Sequence, residues 1–248
     1  MSDKYPSLSP YNYCAWNPLK IVDPDGAEMD DWEIDRKGQL HWIASSEIDR
    51  IRTSSGESVF VNNGVLKRGQ SYTSDNNGYL LLNFGSDSKN ADDVFSFLAD
   101  NTDVEFSVIG YANSKYGKES NNFVLTSSFD EKGDFTGTEQ AYGYALEGTL
   151  RDHSHSHPDG NMQPSGFGNP HMPWTPENKG DDVRFVSQMK DILKRTSPNA
   201  VFNAYIYAGK GRNVALPRGG YKCYGSTSGF KYTGNTFTPE NALNRYSR

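Results

Sequence analysis

Residues 151–160 read RDHSHSHPDG, placing three of the chain's five histidines, His153, His155 and His157, at every second position with Pro158 behind them. In an extended segment successive side chains alternate between faces, so this spacing sets all three imidazoles on one side of a strand. Two imidazoles so placed can chelate one first-row metal ion, and zinc then requires a further protein ligand. The same run also describes a solvated strand end that holds no ion. What accompanies the histidines decides between the two.

Downstream, Ser165 follows His157 after seven intervening residues. The stretch 159–180 is polar and rich in Pro, Gly and Asn, which predicts a long loop, with His171 as a spare imidazole and Trp174 as an aromatic that packs the loop down. DDVRFVSQMKDILKRT (181–196) is the clearest helix. Val183, Val186, Met189 and Leu193 form its apolar stripe, acids open it, and Lys190, Lys194 and Arg195 close it. Asp181 or Asp182 can turn inward as a ligand while its neighbour caps free N–H groups; ordinary capping accounts for both acids as well. Strands follow at AVFNAYIYAG (200–209) and NVALP (213–217).

Upstream, YGYALEGTLRDHSHSHP (142–158) reads as one strand ending at Pro158, with Glu147 on it, and a glycine-rich stretch precedes it to about residue 140. NNFVLTSS (121–128) is a further strand. In DVEFSVIGYA (103–112) the period is two: Val104, Phe106 and Val108 face one way, Glu105 and Ser107 the other. Glu105 is a lone acid in that apolar strand, costly to bury unless it has a partner. NADDVFSFLADN (90–101) is helical, with Asn90 able to cap it, and DDWEIDRKGQLHWI (30–43) alternates around Lys37-Gly38 as a hairpin does. VFVNNGVL and GYLLLNF, within 59–84, are strand-like.

The 248 residues, 35% hydrophobic, suffice for one sizeable core or a domain with an appended segment. A net charge of −6 with no Lys/Arg cluster argues against nucleic acid as the main partner. Cys14 and Cys223 match no metal-binding spacing. No apolar run approaches the roughly 18 residues of a membrane span, and no signal pattern opens the chain, so export is expected to depend on something outside it. The order of elements predicts an α+β fold, α/β/α-like: a mixed sheet flanked by helices with an N-terminal strand-rich extension.

The first 26 residues stand apart. Tyr11-Asn12-Tyr13, Asn17-Pro18 and Asp23-Pro24-Asp25-Gly26 resemble, in order, the end of the RHS repeat-associated core, a β-rich shell in polymorphic toxin proteins that the toxin domain directly follows. By the physics of chain ends alone the segment is a loosely docked tail. The resemblance implies an effector cut from a larger exported protein and acting in a target cell, with a cognate immunity protein in the producer. The expected division is 1–26 for the end of the RHS core, 27–89 for a strand-rich part of the toxin region, and 90–248 for the toxin domain.

The constellation Glu105, His155-Ser156-His157-Pro158, Ser165 and Asp182 resembles the JAB/MPN superfamily of zinc metallopeptidases, specifically the JAB-like toxin domains attached to RHS proteins. That resemblance implies Zn²⁺ held by His155, His157 and Asp182, with an open position for water. Glu105 is then the general base and Ser165 the donor to the developing oxyanion, and the reaction is hydrolysis of an amide bond in a protein or peptide substrate. His153 falls outside the motif, beside the ligands, facing substrate or solvated. One departure stands out. The family aspartate comes three positions after the serine, whereas 166–180 intervene here, so either the loop carries an insertion or Ser165 is not the family serine. Two other readings stay open: a metal-dependent nuclease toxin, and a non-catalytic domain whose histidines bind no ion or only a structural one.

Overall fold

The computed structural model describes residues 29–46, 48–67, 69–113, 120–165, 181–230 and 235–246. Residues 1–26, with the RHS-like motifs and Cys14, lie outside these, as do His171 and Trp174. β1 (Met29–Ile34) and β2 (Leu40–Ser46) form the expected antiparallel hairpin; β3 (Arg50–Arg52) runs parallel to β1, and β4 (Ser58–Phe60) completes a four-stranded sheet. Gly38 turns the hairpin at φ +76°, and a Cβ there would sit 2.5 Å from Val104 Cγ2 and 3.0 Å from Phe106. The turn therefore presses on the two residues that flank Glu105.

After α1 (Ser74–Asn77) the chain builds an eight-stranded mixed sheet from β5 (Leu80–Gly85), β6 (Ser107–Asn113), β7 (Ser120–Ser127), β8 (Leu150–His157), β9 (Asn203–Ala208), β10 (Gly220–Ser226), β11 (Gly229–Phe230) and β12 (Thr236–Phe237). Its order is β11-β10-β9-β8-β6-β7-β5, with β12 also paired to β10. α2 (Ser88–Asn101) covers one face, burying Val94, Phe95 and Leu98 with Phe106, Val108 and the small sheet's Trp32 and Ile51. α3 (Phe135–Leu146) and α4 (Asp181–Thr196) cover the other, where Val186, Met189 and Leu193 meet Ile109, Leu150 and Ile206. A mixed sheet between helices is the α+β class that the order of elements predicted. A short 3-10 helix, Pro239–Tyr246, closes the chain on the α2 side.

Four local readings are corrected. Residues 142–149 are not strand: α3 ends at Leu146 and β8 begins at Leu150, so Glu147 is an exposed helix end and not a strand residue beside the histidines. Two glycines hid this helix. Gly137 is there because a Cβ would lie 2.6 Å from Ser107 Oγ, which brings α3 tightly onto β6. α2 is capped by Asp87, whose carboxylate accepts from Asn90 N at 2.9 Å, while Asn90 ties to the small sheet by donating to Phe60 O. NVALP is a turn bridged between Asn213 and Leu216, with Val214 fully exposed. Glu105 precedes β6, although its backbone remains clamped: its N–H donates to Asp130 O at 2.8 Å and its C=O accepts from Ser127 Oγ at 2.7 Å.

Candidate metal centre

β8 carries the histidines through the middle of the large sheet. Ser107 of β6 stands opposite His155 and Ile109 opposite His153, while His155 pairs with Ile206 of β9 in parallel. Ser156, pointing to the other face, links β8 to the residue after Glu105: Phe106 N donates to Ser156 Oγ at 3.0 Å and Ser156 N donates to Phe106 O at 2.9 Å. Two-residue periodicity thus sets His155 and His157 on the α4 side and locks the Glu105 segment to the same strand.

The chain crosses over through α4 between the parallel strands β8 and β9, and the start of α4 brings Asp182 down onto the imidazoles. Nε2 of His155 lies 3.2 Å from Asp182 Oδ1, Nε2 of His157 lies 3.6 Å from Oδ2, and the two Nε2 atoms are 3.0 Å apart. Donor atoms on zinc at its usual bond lengths of about 2.0–2.1 Å stand about 3.3 Å apart in a tetrahedron. Three such atoms can share one ion. The donor chemistry fits as well. Nδ1 of His157 is 2.7 Å from Asn161 O, so that nitrogen carries the proton and Nε2 keeps its lone pair. Without an ion the cluster needs a proton to bind it together. Burial alone would lower the His155 pKa, but the Asp182 carboxylate beside it leaves it raised. Burial pushes Asp182 up, yet His155 and His157 hold it well below the usual carboxylate range.

Asp182 is positioned by Ser165. Ser165 N donates to Asp182 Oδ2 at 2.6 Å and Asp182 N donates to Ser165 Oγ at 3.0 Å. This is the reciprocal pattern of a capping box, normally made between residues three apart. Asp182 is the acid that joins the histidines, and the Asp181 side chain lies outside the described residues.

Glu105, His155, His157, Ser165 and Asp182 all line one cleft of about 910 Å³. Burial pushes the Glu105 pKa up to about 7, against the opposing pull of His155 and His157. A carboxyl poised there can exchange protons near neutrality. His153 lines the same cleft but holds a different position: 4% exposed, its ring lies 4.6 Å from Phe185, and neither nitrogen has a partner among the described residues. Burial, with His155 next to it, lowers its pKa to about 3, so it stays neutral. Sequence reasoning missed Asp134, which caps α3 by accepting from Gly137 N and lines the cleft, although an Asp just ahead of a helix is itself a capping signal. It also missed Tyr224, buried on β10 beside His155, for which no local signal exists.

Residues 84–187 match the family model JAB-like toxin 1, a span that includes Glu105, both histidines, Ser165 and Asp182. No curated protein and no solved structure matches. The family match, on a mixed sheet flanked by helices, supports a JAB-like toxin domain over residues 84–187.

Proposed function

We propose that this domain is a zinc-dependent peptidase or isopeptidase, the effector part of an RHS-type toxin exported within a larger protein and acting on an amide bond in a target cell. A protein or peptide substrate, a cognate immunity protein and the parent RHS shell are its expected partners. The observation that carries the reading is the convergence of His155, His157 and Asp182 to within 4.8 Å of one another, in a cleft that also holds Glu105.

His155, His157 and Asp182 would hold the zinc, which supplies Lewis acidity to activate water and polarise the amide carbonyl. Glu105 takes the proton released by the attacking water on its carboxylate and delivers it to the leaving nitrogen. Burial raises its pKa in the zinc-free protein, which favours a group that can hold the proton between the two halves of that exchange. Ser165 directs its Oγ toward Asp182 N in the resting arrangement, so its first role is to hold Asp182, and contact with a developing oxyanion is its second. Hydrolysis of a mixed peptide and isopeptide library by wild type and Glu105→Gln tests the reading. Cleavage at defined bonds, lost in Glu105→Gln with zinc retained, is expected; cleavage that survives Glu105→Gln contradicts it.

The nuclease reading lacks the basic surface that a phosphate backbone requires, given the net charge of −6. A purely structural ion has no use for a carboxyl poised near neutrality, and Glu105 favours catalysis over that alternative.

A further inference from the structure

Both ring nitrogens of His153 have no hydrogen-bond partner among the described residues, and neither do Nδ1 of His155 and the hydroxyl of Tyr224. The side chains of His155 and Tyr224 are neighbours. The rings stand edge to face with centroids 5.6 Å apart and planes at 87°. His155 is 5% exposed and Tyr224 fully buried, and both border the cleft. Leaving a buried polar group unpaired is costly, so its persistence calls for an explanation.

Tyr224 reaches this place by a break in strand regularity. Cys223 pairs with Tyr205 and Gly225 with Ala204, so Tyr224 is the extra residue of a bulge. Cys223 packs on the α2 side of the sheet and Tyr224 on the α4 side. Gly225 leaves room for α4, since a Cβ there would lie 2.5 Å from Val186 Cγ2. Helix and bulge together turn the phenol toward His155 and into the field of Asp182 and Glu105.

His157 shows what His155 lacks. Its Nδ1 donates to Asn161 O, which leaves Nε2 bare for an ion. His155 presents Nε2 to the same point, so its Nδ1 must carry the proton and find an acceptor, as imidazole ligands regularly do. The two groups are adjacent but not hydrogen-bonded to each other here; we propose that the Tyr224 hydroxyl closes on His155 Nδ1 as that acceptor when zinc is held, a positioning residue that fixes the tautomer and ring orientation of His155. The proposal rests on His155 being a zinc ligand. His153, the other neighbour of His155 with its ring centroid also 5.6 Å away, packs more closely on Phe185, at 4.6 Å.

Zinc affinity measured by chelator competition on wild type, Tyr224→Phe and His153→Phe tests it, alongside melting of the zinc-free proteins and the visible spectrum of the cobalt-loaded forms. Tyr224→Phe is expected to bind zinc about 10–100-fold more weakly, the usual effect of removing such a partner. Its cobalt spectrum should shift, and its zinc-free form should melt no lower than wild type, because the phenyl ring removes an unpaired hydroxyl. His153→Phe should keep wild-type affinity. Unchanged affinity in Tyr224→Phe overturns the proposal while the zinc reading stands, and so does a zinc-free Tyr224→Phe protein destabilised as much as its affinity falls. Wild type that binds no zinc removes the zinc reading and this proposal with it.

Discussion

Ser165 and Asp182 are hydrogen-bonded to each other twice, main chain to side chain in both directions, across seventeen positions of sequence. The pair does what a Ser-x-x-Asp capping box does at the start of a helix, with fifteen further residues of sequence, 166–180, between its halves. On the function proposed above, the departure from family spacing is an insertion, with Ser165 in the place of the family serine.

The first prediction follows. Deleting residues 166–179 leaves Ser165-Gly180-Asp181-Asp182, in which serine and aspartate stand three apart. The shortened protein should fold, bind zinc with wild-type affinity, and be more stable by about 1 kcal/mol from the smaller loop-closure entropy. Chemical denaturation and chelator competition check this; lost zinc binding would mean that the inserted stretch helps build the site.

Ser165→Ala removes the side-chain half of the cap and leaves Ser165's own N–H bond to Asp182 in place. It should lower stability by about 1 kcal/mol and weaken zinc binding only modestly. A loss of zinc as complete as in His155→Ala would make Ser165 more than a cap.

Glu105 gives a pH signature. Its folded pKa of about 7 lies above the ordinary 4.5, so in the zinc-free protein the folded state binds the proton more tightly. The penalty for burying the ionised carboxyl is absent below about pH 4.5, grows as pH rises, and is complete above about pH 7, where it reaches at most about 3 kcal/mol. Glu105→Gln escapes it. The zinc-free variant should match wild type at pH 4.5 and exceed it in stability at pH 8, and zinc should narrow the gap because a nearby cation favours the carboxylate. Denaturation curves of both proteins at the two pH values measure this.

How much of this was legible in the sequence depended on how local the cause was. The α4 stripe Val183, Val186, Met189 and Leu193 is fully buried, and the histidine alternation falls on β8, because periodicity and burial are properties of one segment. α3 was not legible. Its buried residues are Gly137, Ala141 and Ala145, too small to mark a stripe, and Gly137 is required by a strand thirty residues away. Tyr224 and the Ser165 cap are likewise set by partners distant in sequence, as is a clasp at the end of the chain.

In that clasp Arg245, 2% exposed, donates to Asp92 Oδ1 of α2 at 2.5 Å with its guanidinium 3.4 Å over the Tyr221 ring. Removing one partner strands a buried charge. Arg245→Ala should cost about 3–5 kcal/mol, and Arg245→Lys should not restore it, since an ammonium cannot stack as the planar guanidinium does. A melting series checks both, and an effect below about 1 kcal/mol would show the pair to be dispensable.

The central claim is most directly tested by zinc stoichiometry of purified wild type beside His155→Ala, His157→Ala, Asp182→Ala and Glu105→Ala. One zinc per chain, lost in the first three variants and kept in Glu105→Ala, is the predicted result. Wild type that holds no zinc even after reconstitution would contradict the account, and RDHSHSHP would then be a buried polar strand without an ion.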